Sequence, residues 1–154
     1  MSIKKAVAVA CMAACGVLAT SGALAQFQKP EDAVKYRQSA LFVMGTHFGR
    51  IGAMVQGKAP YDPKLAIENA EVVEAMAHLP WIGFGPGYDK GGTTKAKPAI
   101  WSEQDKFKEH QEKLFPAVQK LTAAAKTNDL GNLKAAFGSA AETCKACHDN
   151  YRDK

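Results

Sequence analysis

The chain has 154 residues, of which 47% are hydrophobic and 23% charged, and its formal net charge is +5. These proportions predict one folded domain and exclude a disordered chain, because a large apolar fraction can be buried and both charge signs are present. The lysines are dispersed and form no basic block, so nucleic-acid binding is not expected.

Residues 1–25 have the pattern of a secretory signal peptide. Two lysines precede an apolar stretch at 6–18, and the small-x-small tripeptide at 23–25 is a cleavage signal. The apolar stretch is shorter than the roughly 20 residues of a membrane-spanning helix, and no second stretch follows it. We expect cleavage to leave an exported domain, residues 26–154, with no membrane anchor and, without the two lysines, a net charge of +3 instead of +5.

Cleavage also removes two of the four cysteines. Cys11 and Cys15 lie in the signal peptide and only Cys144 and Cys147 remain, so a disulfide framework is not expected. Acylation of Cys15, as in a lipoprotein, is an alternative, but Met12 stands where such a signal usually has leucine.

The helical spacing of apolar residues predicts four helices and no strand. The first runs from about 30 to 56, with Pro30 at its first position, and the second follows the N-cap Asp62 and continues to Pro80. Residues 80–98 contain three prolines and five glycines, which predicts an ordered crossover loop.

The third helix is expected to begin at a capping box of Ser102 and Asp105, and Pro116 in its interior predicts a kink or a break. The fourth helix follows the cap Asp129. Its apolar stripe has the alternating spacing of a heptad and comprises Leu133, Phe137, Ala140, Cys144, Cys147 and Tyr151. The predicted fold is therefore all-α, an antiparallel four-helix bundle.

The strongest chemical signal is the sequence Cys144-Lys145-Ala146-Cys147-His148, which is typical of c-type haem attachment. On a helix the two cysteines and the histidine lie at i, i+3 and i+4 and share one face. Both thiols can then form thioethers with the porphyrin vinyl groups while the imidazole reaches the iron. The motif predicts one covalently attached haem c per chain, with His148 as the metal ligand.

Three other uses of these residues are weaker. A thioredoxin-like pair would lie at a helix start beside a strand, whereas this pair lies near the chain end. A structural zinc site needs four ligands, and His47, His78 and His110 are isolated from one another. A disulfide between residues three apart on a helix has poor geometry.

The segments CKACHDNYR, QFQKPEDAVKYRQSAL and LPWIGFGPG resemble cytochrome c′, a family of periplasmic haem proteins with a four-helix bundle, and the resemblance covers residues 26–154. It implies a non-enzymatic periplasmic protein that binds NO and CO at a pentacoordinate iron with His148 as its only protein ligand. It also implies a homodimer formed through the first two helices and one-electron exchange with a periplasmic redox partner that the sequence does not identify. Pro116 and the lysine-rich loop at 88–97 depart from the family pattern.

By resemblance, Leu41 covers the distal face of the haem, where its side chain cannot ligate the iron; ordinary core packing is the alternative. Met44 lies one turn further, and its ligation would give a six-coordinate electron-transfer cytochrome of the same fold. Filling a gap in the core is the more ordinary role of a methionine. His47 lies off this stripe and is expected at the surface or at its boundary with the core, and the same argument applies to His78 and His110.

The resemblance assigns two arginines to the haem. Arg152, four residues after His148, is expected on the proximal side, and Arg37 is expected to meet a haem propionate; a solvated arginine is the alternative for both. Phe84 and Trp81 are expected near the haem edge or over the end of the bundle. Tyr151 continues the apolar stripe and is expected in the core.

Overall fold

The computed structural model describes residues 26–154, and the predicted signal peptide lies outside them. Within these residues the chain is helical apart from its loops and one isolated β-bridge. The elements in chain order are α1 (Pro30–Val55), α2 (Pro63–Met76), a 3-10 helix (Pro80–Phe84), α3 (Ala99–Ser102), α4 (Gln104–Ala125) and α5 (Leu130–Tyr151). The predicted all-α fold is confirmed, with four long helices and a short one inserted before α4.

Two of the predicted helix starts are capped as expected. The carboxylate of Asp62 accepts a hydrogen bond from the Leu65 amide at 3.1 Å, and that of Asp129 accepts one from the Asn132 amide at 2.7 Å. Each carboxylate satisfies an amide that has no partner within the helix, which is worth about 1 kcal/mol. The second helix ends earlier than expected, at Met76, before the chain turns into the 3-10 helix.

The predicted start of the third long helix is wrong. Ser102 is the last residue of α3, where its hydroxyl donates to the carbonyl of Ala99, and α4 begins at Gln104 without a side-chain cap. The local pattern of a capping box was therefore overridden by the short helix that precedes α4. At Pro116 the expected break is also absent, because α4 is continuous from Gln104 to Ala125.

The long helices pack in sequence around a shared core. Helix α1 packs on α2, α2 on α4 and α4 on α5, whereas α1 and α5 make fewer contacts with each other. The core residues are mostly aliphatic and include Ile51, Val73, Val118, Leu121 and Leu133, all 1% exposed or less. No helix within residues 26–154 combines the length and apolarity needed to cross a bilayer.

The loop between α2 and α4 is held tightly against the first turns of α1. A Cβ added at Gly83 would lie 2.8 Å from the Ala33 carbonyl oxygen, and one added at Gly91 would lie 2.7 Å from the Pro30 Cβ and 2.8 Å from the Glu31 amide. Gly91 also has a φ of +117°, which side chains rarely adopt. These close approaches fix the loop over one end of the space between α1 and α5.

We expect Gly91→Ala to destabilise the protein more than Gly92→Ala. Both glycines have positive φ, so either substitution costs about 1 kcal/mol of backbone strain. Only at Gly91 does the new methyl group also push the loop away from α1, since nothing lies within 4 Å of a Cβ at Gly92. The measurement is the free energy of unfolding of both variants in guanidinium chloride, and equal losses would contradict the loop packing.

Candidate cofactor site

The described part of the chain contains a cavity of about 480 Å³. It lies between α1 and α5 and is also lined by α4 and by the loop that joins α2 to α4. Its volume falls in the usual range of cofactor and ligand sites, about 300 to 1,000 Å³. A bundle of this size ordinarily fills its centre with side chains, so an opening of this volume indicates a bound group.

Helix α5 brings the predicted attachment residues to one wall of the cavity. Cys144, Cys147 and His148 all line it, together with Thr143 from the same helical turn. Both cysteines are free and half-buried. The helix carries them on one face, as the spacing predicts, so that one bound group can contact both sulfurs and the imidazole.

The two thiols are poorly suited to thiol redox chemistry. Burial raises the pKa of Cys144, and burial together with the neighbouring Cys144 raises the pKa of Cys147 to about 11. Both cysteines also lie in the last turns of α5, where the helix dipole disfavours a thiolate. The thioredoxin-like alternative is therefore disfavoured by the structure as well as by the absence of strands from residues 26–154.

His148 has the charge state that metal ligation requires. Partial burial, and secondly the positive charge of Arg152, lower the pKa of this imidazole. A neutral ring at physiological pH has a nitrogen lone pair available for a metal. Arg152 does not continue the helix as the spacing suggested: α5 ends at Tyr151, and Arg152 is extended, with its amide donating to the His148 carbonyl at 3.0 Å. It nevertheless lines the cavity.

Helix α1 contributes an apolar wall. Leu41, Met44 and Phe48 line the cavity, and all three are partly buried. Leu41 and Met44 can therefore both contact a bound group, as the resemblance implies for the leucine and as the alternative requires for the methionine. His47 points elsewhere: its Nδ1 lies 2.8 Å from the Asn69 side-chain oxygen on α2, and it does not line the cavity.

Arg37 is the most unusual residue of the site. Its guanidinium is only 1% exposed, so the alternative of a solvated arginine is wrong. Nη1 donates to the carbonyls of Gly83 at 2.5 Å and Tyr88 at 2.8 Å, and the Phe84 ring lies 4.7 Å from its Cζ. Within residues 26–154 no carboxylate forms an ion pair with it. A buried cation without a counter-ion is costly, so this end of the cavity is built for an anionic group.

The aromatic residues expected near the haem also line the cavity. Trp81 and Phe84 lie there, and Tyr151 is both a buried core residue, 5% exposed, and part of the lining. Sequence reasoning missed His110, which lines the cavity from α4 with its ring edge-on to Tyr151 at 5.5 Å. Its spacing could have predicted this position, because His110 lies four residues before Leu114, on the inward-facing stripe of α4.

These features fit haem. The apolar walls suit a porphyrin, the two thiols and the imidazole match its vinyl groups and iron, and the unpaired Arg37 suits a propionate. A zinc site is not supported, because no group of three or more His, Cys, Asp or Glu side chains in residues 26–154 is arranged to hold a metal ion.

Comparison with known proteins gives one family. The model of the family described as Cytochrome C' matches residues 32–152. Cytochrome c' from Rubrivivax gelatinosus is 52% identical over 129 residues, which are 84% of this chain and 100% of that protein, and the relative from Alcaligenes xylosoxydans xylosoxydans is 51% identical, over 84% and 99%.

Solved structures agree with the sequence comparison. The crystal structure of the Rubrivivax gelatinosus protein matches with a TM-score of 0.80 at 52% identity, covering 83% of this chain and 100% of that one. A nitric oxide complex of a leucine-to-alanine variant of cytochrome c prime from Alcaligenes xylosoxidans matches with a TM-score of 0.77 at 50% identity, covering 84% and 100%.

Proposed function

We propose that this chain, which belongs to the cytochrome c′ family and carries haem c, is a periplasmic gas-binding protein that takes up NO and CO and is not an enzyme. The observation that carries the proposal is the apolar wall that α1 presents to the cavity. From Leu41 onwards, the α1 residues that line the cavity are Leu41, Phe42, Met44, Gly45 and Phe48, and none has a side-chain hydrogen-bond donor. The two donors earlier on this wall are engaged by the loop: Arg37 donates to the Gly83 and Tyr88 carbonyls, and the Gln38 side-chain amide donates to the Thr93 carbonyl at 2.8 Å.

The residues on α5 hold the haem. Cys144 and Cys147 would bind it through thioethers and His148 would supply the protein ligand to the iron, while Arg37 would neutralise a propionate. Bound there, the haem supplies an iron with a free coordination position for a diatomic ligand. Arg152 lies beside His148, where its positive charge adds to partial burial in lowering the pKa of the imidazole.

The apolar wall selects among the diatomic gases. Bound O2 acquires partial negative charge and needs a hydrogen-bond donor, whereas CO and NO bind ferrous iron without one. Leu41 lines this wall, and its branched side chain would restrict the space open to an incoming ligand. The nitric oxide complexes solved for the Alcaligenes xylosoxidans relative support NO as a ligand of this site.

We infer a periplasmic location from the signal-peptide pattern of residues 1–25. The pattern at 1–25 predicts export and cleavage, and the Rubrivivax gelatinosus relative is matched over 129 residues, as many as the chain has from 26 to 154. Haem c in an exported protein also equips it to pass single electrons, which we propose as a second role.

Leu41→Ala is expected to accelerate CO association with the ferrous protein by orders of magnitude. Truncation opens a cavity of roughly three methyl-sized groups at the point where the ligand binds. The matched variant is Met44→Ala, which removes a neighbouring side chain from the same wall. Stopped-flow mixing with CO measures all three proteins.

Equal rates for the wild type and Leu41→Ala, with a large gain only in Met44→Ala, would contradict the proposal. That result would identify Met44 as the sixth ligand and the protein as a six-coordinate electron-transfer cytochrome. The observation that favours this alternative is that Met44 lines the cavity.

We also propose that two copies associate through α1 and α2. Phe42 is 74% exposed, an unusual state for a large aromatic side chain, and Leu65 on α2 is 48% exposed. Gly45 and Gly49 lie on the same stripe of α1 as Phe42, and a Cβ at either would meet nothing within 4 Å. This flat stripe lets a second helix approach closely, and the partner that fits it is another copy of the chain.

Leu65→Gln is expected to yield monomers that keep their haem, because Leu65 is exposed on α2 and does not line the cavity. Leu130→Gln is the control, because Leu130 is also exposed, 38%, but lies at the start of α5. Sedimentation velocity at high micromolar concentration measures the mass, and the visible spectrum confirms the haem. A monomeric wild-type protein under these conditions would refute the dimer.

A further inference from the structure

The structure points to a docking site for an electron-transfer partner. We propose that four cations beside the cavity, Lys95, Lys97, Arg152 and Lys154, bind the acidic face of a redox protein; we call them the basic rim. This inference rests on the proposed haem function, and it adds the place and the charge of the partner.

Backbone pairing brings the basic rim together. The loop before α3 and the end of the chain form the isolated β-bridge between Ala96 and Arg152. The Lys97 amide donates to the Tyr151 carbonyl at 3.0 Å, and the Asp153 amide donates to the Lys95 carbonyl at 2.8 Å. Cations from two distant parts of the sequence are thereby held on one short ladder next to the end of α5.

The basic rim borders the cavity mouth and keeps its charge. Lys95 and Arg152 are exposed and line the cavity, and no Asp or Glu among the described residues does so. Lys97 Nζ donates to the backbone carbonyl of Asp149 at 3.1 Å, which does not neutralise it. Within residues 26–154, no carboxylate forms an ion pair with any cation of the rim.

The acidic residue that precedes the rim on α5 is already engaged, because Asp149 forms an ion pair with Lys145. Five of the six ion pairs in the described residues lie on or beside α2 and α4. Positive charge is therefore neutralised along those helices and left in excess at the mouth of the cavity.

Such an arrangement suits an acidic protein better than an anionic membrane. Complementary charge around a redox centre steers a partner to the correct orientation and raises the association rate by about 10- to 1,000-fold. Membrane-binding segments instead carry uninterrupted clusters of about four to eight cations. Here Asp153 stands between Arg152 and Lys154, and backbone pairing holds the rim in place, which favours a partner with carboxylates at defined places.

The test compares the oxidation of the ferrous holoprotein by two complexes of opposite charge, anionic ferricyanide and cationic tris(phenanthroline)cobalt(III). Each takes one electron from the protein. In Lys97→Glu/Lys154→Glu, the rate with ferricyanide should fall about tenfold at about 0.01 M ionic strength, and the rate with the cobalt complex should rise. The control Lys120→Glu/Lys134→Glu makes the same change of net charge away from the rim and should have a small effect on both.

Poly-L-glutamate is the probe for an acidic polypeptide. It should slow ferricyanide oxidation of the wild type and of the control, but not of the rim variant. Equal rates for the rim and control variants would overturn the proposal. A different result would also overturn it: the wild type binds phosphatidylglycerol vesicles, the rim variant does not, and poly-L-glutamate does not change the rate of ferricyanide oxidation. An unchanged visible spectrum and CO binding in every variant separate these outcomes from a failure of the haem function.

Discussion

The buried guanidinium of Arg37 is the interaction on which the rest of the site depends. It joins α1 to the loop before α4 by donating to the carbonyls of Gly83 and Tyr88, and its Nη2 lies 3.3 Å from the Thr94 hydroxyl. These neutral acceptors satisfy its donors but leave its charge without a counter-ion. The contacts that order the loop therefore leave an uncompensated positive charge in the cavity wall, which favours the binding of an anionic group there.

The arrangement of the helices fits a large ligand that carries an anionic group. Helix α1 packs closely on α2, and α4 packs closely on α5, whereas α1 and α5 make fewer contacts with each other. Apolar side chains of α1 and the attachment motif of α5 line the space between α1 and α5. A haem bound there would supply the packing that the polypeptide lacks in this space, and we expect its removal to destabilise the fold. The ladder between the loop and the chain end closes the site beside His148.

Sequence reasoning was reliable where a pattern had one physical meaning. The caps Asp62 and Asp129 and the shared face of Cys144 and Cys147 required only local geometry. It failed where tertiary contacts decide: α3 displaced the predicted cap at Ser102, and His110 reaches the cavity. The burial of Arg37 also could not be read from its neighbours, because the carbonyls that hold it lie about fifty residues further along the chain.

The central claim is a haem held by Cys144, Cys147 and His148, with no side chain from α1 on the iron. The electronic spectrum of the purified protein in both oxidation states tests it most directly. The account predicts high-spin spectra in the ferric and ferrous states and a shift of the ferrous bands on addition of CO. Low-spin spectra in both states, with a methionine–iron charge-transfer band and no response to CO, would contradict it.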